Sequence, residues 1–200
     1  MNIKTIQFIW VRHGLSDSNM ISNQYYNQIP SKLYVKLMKK LYRLRNSNKW
    51  NKDSQLTTIG RKQAQQYSKN FTPKIDIIAS SNLLRAINTA KEIKSNLQFT
   101  HTKGNFNKNV ILLPFISEIN TYINHGARPY STLLTKKNVN SQYITEDTLS
   151  QRPNMKDFMY YCKPLIHKFF KKNPTRNTLK LMIVSHGRFM RNYLPGFPKQ

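Results

Sequence analysis

Apolar segments alternate with helical segments along this chain, and this alternation limits the possible folds more than any other feature. Four short runs rich in Ile, Val, Leu and Phe are typical of strands, and three longer amphipathic stretches are typical of helices. The predicted strands cover residues 3–11, 75–79, 110–113 and 179–184, and the predicted helices cover 57–71, 83–97 and 155–170. This order predicts an α/β domain, a three-layer sandwich with a mainly parallel sheet flanked by helices.

Three details refine this prediction. The first strand is apolar at nearly every position, which favours burial on both faces. Pro164 lies inside the helical stretch 155–170 and predicts a kink or a restart there. A short final helix is expected after the strand at 179–184, whereas 119–152 has no clear period.

The length of 200 residues suits a single domain spanning 1–200, with an inserted basic helical segment at about 22–55. Cys162 is the one cysteine, so no internal disulfide can form, and we expect its side chain to be packed in the core. No apolar run approaches the roughly 20 residues that span a bilayer. We therefore expect a cytoplasmic protein without stable membrane insertion.

The charge balance is strongly basic. Lys and Arg number 33 against 8 Asp and Glu, a formal net charge of +25. This excess favours a polyanionic substrate or partner such as RNA, inositol polyphosphate or phosphoprotein. AT-rich coding would also supply lysine, although it explains the scarcity of acidic residues less well. Both interpretations stay open.

The inserted segment contains a predicted basic amphipathic helix at 32–45. At helical spacing its leucines share one face, while its cations gather on another; the cations are Lys32, Lys36, Lys39, Lys40 and Arg43. This helix lies in sequence between the segment 12–19 and the helix predicted at 57–71, so we expect it near the rim of any site formed there, where it would bind a polyanion. A solvated face and a helix on an anionic membrane surface are the alternatives.

Ionisable residues follow each of the four predicted strands. Arg12 and His13 come directly after the first, Arg85 after the second, Glu118 after the third and His186 after the fourth. In open parallel sheets, ligands bind beyond the carboxyl ends of the strands. The sequence therefore predicts that these five side chains meet in one site.

Three motifs carry a resemblance to a known family. The opening RHGxSxxN consists of Arg12, His13, Gly14, Ser16 and Asn19. The segment LTxxGxxQA consists of Leu56, Thr57, Gly60, Gln63 and Ala64. The helix RAxxTA consists of Arg85, Ala86, Thr89 and Ala90. Together they resemble the histidine phosphatase superfamily, also called phosphoglycerate mutase-like. Gly187 follows the second histidine where another branch has aspartate. The chain thus resembles the mutase-type branch, in which a glutamate such as Glu118 supplies the acid.

The residue types also suit phosphate-ester hydrolysis on chemical grounds. His13 would be the nucleophile that accepts the phosphoryl group, and Arg12 and Arg85 would hold its oxygens with guanidinium forks. The two arginines should lower the pKa of His13 and free its lone pair. His186, preferably protonated, would donate to a phosphoryl oxygen, and Glu118 would protonate the leaving oxygen and then activate water.

Several further residues complete the prediction. Ser16, Asn19 and Gly187 are candidate phosphate contacts, and Asp17 and Asp53 are the next candidates for the acid. Thr57 is expected to cap the helix that follows it. No cofactor is expected. The remaining histidines, His101, His125 and His167, have no partner at metal-site spacing, so no metal centre is expected.

Phosphate-monoester hydrolysis through phosphohistidine is the function that this pattern favours. Phosphoglycerate mutase-type transfer is the nearest alternative. Two departures count against it: Leu15 stands where that branch often has glutamate, and the sequence ends soon after the last helix, where mutases carry a longer tail. A weakly catalytic polyanion-binding protein on the same scaffold is the third possibility.

Overall fold

A five-stranded parallel sheet forms the centre of the computed structural model, which describes residues 3–17, 19, 53–118 and 137–197. The strands are β1 (Thr5–Arg12), β2 (Ile77–Ser80), β3 (Val110–Leu112), β4 (Val139–Asn140) and β5 (Thr178–Ser185). Their order in the sheet is β1-β5-β2-β3-β4, and every pair is parallel. The predicted insert helix at 32–45 lies outside the described residues, so it stays a prediction, as does the division into domains.

Five helices accompany these strands in the described ranges. They are α1 (Thr58–Asn70), α2 (Leu84–Lys94), α3 (Glu146–Ser150), α4 (Met155–Lys172) and α5 (Gly187–Tyr193). Alternate residues of β5 point to opposite faces of the sheet, because side chains in a strand repeat every two residues. Leu181 and Ile183 join the apolar cluster that contains α4, whereas Met182 and Val184 join the cluster that contains α1 and α2. The predicted three-layer α/β arrangement is thereby confirmed.

The first strand is more exposed than its sequence predicts. Among the described residues β1 pairs only with β5 and lies at the edge of the sheet, and Val11 is its only fully buried residue. β1 packs on both faces, as predicted, but its burial is incomplete; complete burial applies to β2, whose four residues are all buried. On one face Phe8 and Trp10 pack edge-on against Phe158 of α4, and on the other Ile9 and Val11 join the cluster that contains α1 and α2.

The longest helix runs through its proline without a break. α4 extends from Met155 to Lys172 with Pro164 inside it, so the predicted restart is wrong. Buried apolar contacts along its length stabilise it more than one missing backbone hydrogen bond weakens it. Cys162 lies in this buried stripe, and burial raises the pKa of its thiol to about 12. It is packed, as predicted.

Two short elements come from the stretch for which no period was predicted. β4 has two residues and extends the sheet beyond β3, and α3 has five residues. Thr145 caps α3 by a reciprocal pair of hydrogen bonds with Thr148, a capping box. None of the helices within 3–19, 53–118 and 137–197 is long and apolar enough to cross a bilayer.

Candidate active site

Side chains from the carboxyl ends of four strands meet at one edge of the sheet. The ring centroids of His13 and His186 are 5.0 Å apart. Arg85 Nε lies 3.2 Å from His13 Nε2, and Arg85 Nη2 lies 3.9 Å from Glu118 Oε2. Glu118 Oε2 is also 3.7 Å from His186 Nδ1. The geometry therefore brings together two imidazoles, a guanidinium and a carboxylate, each from a different strand end.

His13 is held as a neutral base with a defined tautomer. Its Nδ1 lies 2.7 Å from the carbonyl oxygen of Gly14, which can only accept, so the ring proton is assigned to Nδ1. Nε2 therefore has the lone pair, and it accepts a hydrogen bond from Arg85 Nε–H. Burial, with Arg85 as the second cause, lowers the pKa of His13 to about 3. The direction is the one expected, although burial contributes more than either arginine alone.

His186 differs from its predicted state. Burial, followed by Arg85, lowers its pKa well below the ordinary value, so the ring is neutral in the free protein, whereas the sequence led us to expect imidazolium. Ser81 Oγ lies 2.7 Å from Nε2, and the same oxygen accepts from Leu83 N at 3.5 Å. We assign the ring proton to Nδ1, because Glu118 Oε2 lies 3.7 Å away on that side of the ring, and the Ser81 hydroxyl then donates to Nε2. His186 can still donate a hydrogen bond, but without a full charge.

Arg12 ends β1 and lies beside Gly187, the first residue of α5. A Cβ atom at Gly187 would be 3.2 Å from Arg12 Nε and 3.4 Å from Arg191 Nη1. Glycine therefore leaves room for the Arg12 side chain. Arg191, which the sequence prediction did not include, brings a further guanidinium to the same place. Its signal in the sequence was its position four residues after Gly187, one helical turn along α5.

The loop after β1 is fixed by side chains from α1 and α2. Gly14 N donates to Thr89 Oγ1 at 3.0 Å, and Leu15 N donates to Gln63 Oε1 at 3.0 Å. Leu15 O accepts from both the backbone N and the Oγ1 of Thr57. Thr57 also caps α1, as predicted, by accepting from Gly60 N. The LTxxGxxQA and RAxxTA motifs thus position the nucleophile loop.

Two glycines allow this loop to contact α1 directly. A Cβ atom at Gly14 would lie 2.5 Å from Gly60 O, and one at Gly60 would lie 2.1 Å from Leu15 O. Both distances are far inside van der Waals contact, so any side chain at either position would force the backbones apart. The glycines therefore set the distance between His13 and the start of α1.

The other predicted residues occupy supporting positions. Ser16 is buried and donates to Asn19 Oδ1 at 2.8 Å, so their role as phosphate contacts stays a prediction. Ser16 also forms a β-bridge with Leu56, next to a hydrogen bond from Asp17 N to Gln55 O. Asp53 is buried, and its Oδ1 accepts from Leu84 N at 2.8 Å. Asp53 thus supports the start of α2, one residue before Arg85.

The donor atoms could in principle hold a cation. Atoms of His13, Glu118 and His186 all lie within 4.8 Å of one another, a two-histidine, one-carboxylate set. However, Arg85 donates a hydrogen bond to His13 and lies close to Glu118, and its positive charge favours an anion at this position. His101 and His167 are exposed and outside this cluster, and His125 lies outside the described residues.

Comparison with known proteins agrees with this geometry. Residues 41–198 match the family model of the histidine phosphatase superfamily (branch 1), which is more than half of the chain. A search of curated proteins gives no significant match.

The solved structures to which this chain is similar include proteins named as phosphatases. The ecdysone phosphate phosphatase from Bombix mori, in complex with tungstate, has a TM-score of 0.54 at 15% identity, over 92% of this chain and 74% of its own. A phosphoserine phosphatase mutant from Entamoeba histolytica has a TM-score of 0.46 at 18% identity, over 96% and 79%. A putative alpha-ribazole-5'-P phosphatase from Escherichia coli has 0.45 at 17%, over 97% and 82%. The family match, together with two histidines, an arginine and a glutamate at the strand ends, assigns this chain to the histidine phosphatase superfamily (branch 1).

Proposed function

We propose that this protein hydrolyses phosphate monoesters through a phosphohistidine intermediate on His13. The observation that carries the proposal is the state of the His13 ring. It is buried and neutral, its proton is held on Nδ1 by Gly14 O, and its Nε2 lone pair lies 3.2 Å from a guanidinium that matches phosphate geometry. A free lone pair next to a fixed cation is what in-line attack on phosphorus requires.

The first step transfers the phosphoryl group to the protein. The incoming phosphate accepts the hydrogen bond that Arg85 Nε–H donates to His13 in the free protein. Nε2 of His13 is then free to attack phosphorus. As the N–P bond forms, the P–O bond to the alcohol breaks, and protonated Glu118 gives its proton to the leaving oxygen. Arg12, Arg85 and the Nδ1–H of His186 stabilise the charge on the equatorial oxygens.

The second step regenerates the free protein. Glu118, now a carboxylate, accepts a proton from water as the water oxygen attacks phosphorus and the N–P bond breaks. Phosphate leaves, His13 recovers its lone pair, and Glu118 recovers its proton. No group outside the described side chains, the substrate and water is needed for this balance, so we expect turnover to persist in the presence of a chelator such as EDTA.

The test is to trap the intermediate. The protein is mixed with 4-nitrophenyl phosphate carrying a labelled phosphoryl group and quenched within one turnover. We expect label on the protein that is labile in acid and stable in alkali, and no such label on His13→Gln. The exposed His167 provides a matched control, since His167→Gln should be labelled like the natural sequence.

Two results would contradict the proposal. Full turnover by His13→Gln would remove His13 as the nucleophile, and label retained on that variant would move the covalent site elsewhere.

The substrate is a separate question. The net charge of +25 supports an anionic substrate in general, and both a polyanionic substrate and a cytoplasmic location stay predictions.

A further inference from the structure

A small pocket adjoins the active site at Glu118. Glu118 lines it, whereas His13, Arg85 and His186 do not. Apolar side chains make up half of the lining residues that the structure describes: Leu83, Pro114, Phe115, Leu149 and Pro153. The pocket is therefore a separate surface that shares one catalytic group with the phosphate site.

The remaining lining residues are uncharged, apart from Glu118 itself. They are Asn82, Ser117, Thr148 and Gln151. Ser117 donates its hydroxyl proton to Asn82 Oδ1, and Thr148 uses its hydroxyl for hydrogen bonds with the backbone of Thr145. Both hydroxyl groups are thus already bonded within the protein. A charged ligand group placed here would lose its water and gain no counter-charge from the described lining residues.

The position of Glu118 links this pocket to the reaction, if the proposed function is correct. Its Oε2 lies within 4 Å of Arg85 and His186, on the phosphate side. Its Oε1 is buried and has no hydrogen-bond partner among the residues described by the structure. A general acid must lie within hydrogen-bond reach of the oxygen that it protonates. The alcohol part of the ester must therefore start beside Glu118, where this pocket begins.

We propose that this pocket receives the alcohol part of the substrate and selects uncharged, partly apolar alcohols. The two ends of the substrate are then recognised by opposite chemistry. Guanidinium groups bind the single phosphate, and the pocket of Leu83, Phe115 and Leu149 excludes further charge. The preferred substrate class is the phosphate monoester of a neutral alcohol with an apolar body, and not a compound that carries several phosphates.

Two esters of matched size test this selectivity. 2-(4-Carbamoylphenyl)ethyl phosphate and 2-(4-carboxyphenyl)ethyl phosphate are nearly isosteric, have leaving groups of nearly equal basicity and differ by one negative charge. We expect kcat/KM to be about tenfold or more higher for the neutral ester, the scale of a charge that must be desolvated without a partner. Equal values, or a preference for the carboxylate, would overturn the proposal and favour a polyanionic substrate.

A charge placed in the pocket should change this ratio. Gln151 is exposed at the rim, so Gln151→Lys should raise kcat/KM for the carboxylate ester relative to the neutral one, and Gln151→Glu should lower it. Gln66→Lys, on the exposed face of α1, makes the same change in net charge away from the pocket and should leave the ratio unchanged. Equal shifts in Gln151→Lys and Gln66→Lys would assign the effect to net charge and reject the pocket.

Turnover of 4-nitrophenyl phosphate separates this proposal from the one on which it rests. No hydrolysis of any ester by the natural sequence means that the proposed function itself has failed. Hydrolysis of the aryl ester through phosphorylated His13, without discrimination between the two phenylethyl esters, means that only the pocket proposal has failed.

Discussion

Ser81 Oγ lies 2.7 Å from Nε2 of His186, on the opposite side of the ring from Glu118, and with the ring proton assigned to Nδ1 the hydroxyl donates to Nε2. Ser81→Ala should therefore lower kcat by about tenfold, the scale of one lost hydrogen bond, because the ring can then place its proton on Nε2 and lose its donor at Nδ1. KM for 4-nitrophenyl phosphate should change less than kcat. Nitrogen chemical shifts of the His186 ring should show the change of tautomer directly.

The neighbouring serine is the matched control for this prediction. Ser80 is equally buried, and its Oγ donates to Ser81 O without touching the histidine. Ser80→Ala should keep the nitrogen shifts of His186. If both variants lose activity equally and neither changes those shifts, Ser81 has only a packing role.

Glu118→Gln should discriminate between leaving groups. Alkoxides need a proton as they depart, whereas 4-nitrophenolate does not, so turnover of an alkyl phosphate should fall by ~10²- to 10⁴-fold and that of the aryl phosphate much less. Glu146→Gln changes an exposed glutamate of α3 and should affect neither. Equal losses on both esters would assign the acid role to another group, with Asp17 and Asp53 the next to test.

Stability should depend on pH through His13. Its folded pKa of about 3 lies below the ordinary value of 6.5, so between these values the unfolded chain binds a proton that the folded protein does not. Stability is therefore present above pH 6.5 and is lost as pH falls through this window. The contribution of His13 to the loss should be about 2 kcal/mol between pH 7 and pH 5.

Urea unfolding at these two pH values measures this effect. His13→Gln, which cannot titrate, should lose less stability on acidification than the natural sequence, whereas His167→Gln should lose as much. An unchanged pH dependence in His13→Gln would show that the pKa of His13 is not depressed in the folded protein.

Gly60→Ala should destabilise the protein, although alanine is the better helix former. At an unconstrained helical position this change stabilises by up to about 1 kcal/mol. Here the new Cβ would lie 2.1 Å from Leu15 O, so we expect a loss of about 1–3 kcal/mol and a lower kcat, because the loop of His13 must move. Thr58→Ala, at an exposed position of the same helix, is the control for both measurements. A stabilised, fully active Gly60→Ala would contradict the close contact.

The main elements could be predicted because each had enough residues to show a period. The runs that became β2 and β5, and the stripe of α4, were visible in the sequence. β4 and α3, with two and five residues, are too short to repeat a pattern. The edge position of β1 was hidden for a different reason. Its apolar pattern predicts packing on both faces, which the structure shows, whereas its partial exposure depends on the order of strands in the sheet, which the sequence of one strand does not record.

The sequence predicted which residues form the site better than it predicted their protonation states. His13, Arg85, Glu118 and His186 were recognisable because each follows a strand. The neutral state of His186 depends on complete burial and on the nearby Arg85, two conditions that arise only when distant segments fold together. Arg191 was missed because its sequence signal, a position one helical turn after Gly187, gains meaning only when the fold places Arg12 beside that glycine.

The bridge between Ser16 and Leu56, together with the hydrogen bond from Asp17 to Gln55, has a consequence for how such a protein can evolve. Residues 16–17 and 55–56 are fixed side by side, so the two ends of the sequence between them are held at adjacent points. Each doubling of the length of a flexible segment with such fixed ends costs only about 0.6 kcal/mol of chain entropy. We therefore expect that sequence between these two points can be lengthened, shortened or exchanged while His13 and Arg85 keep their places.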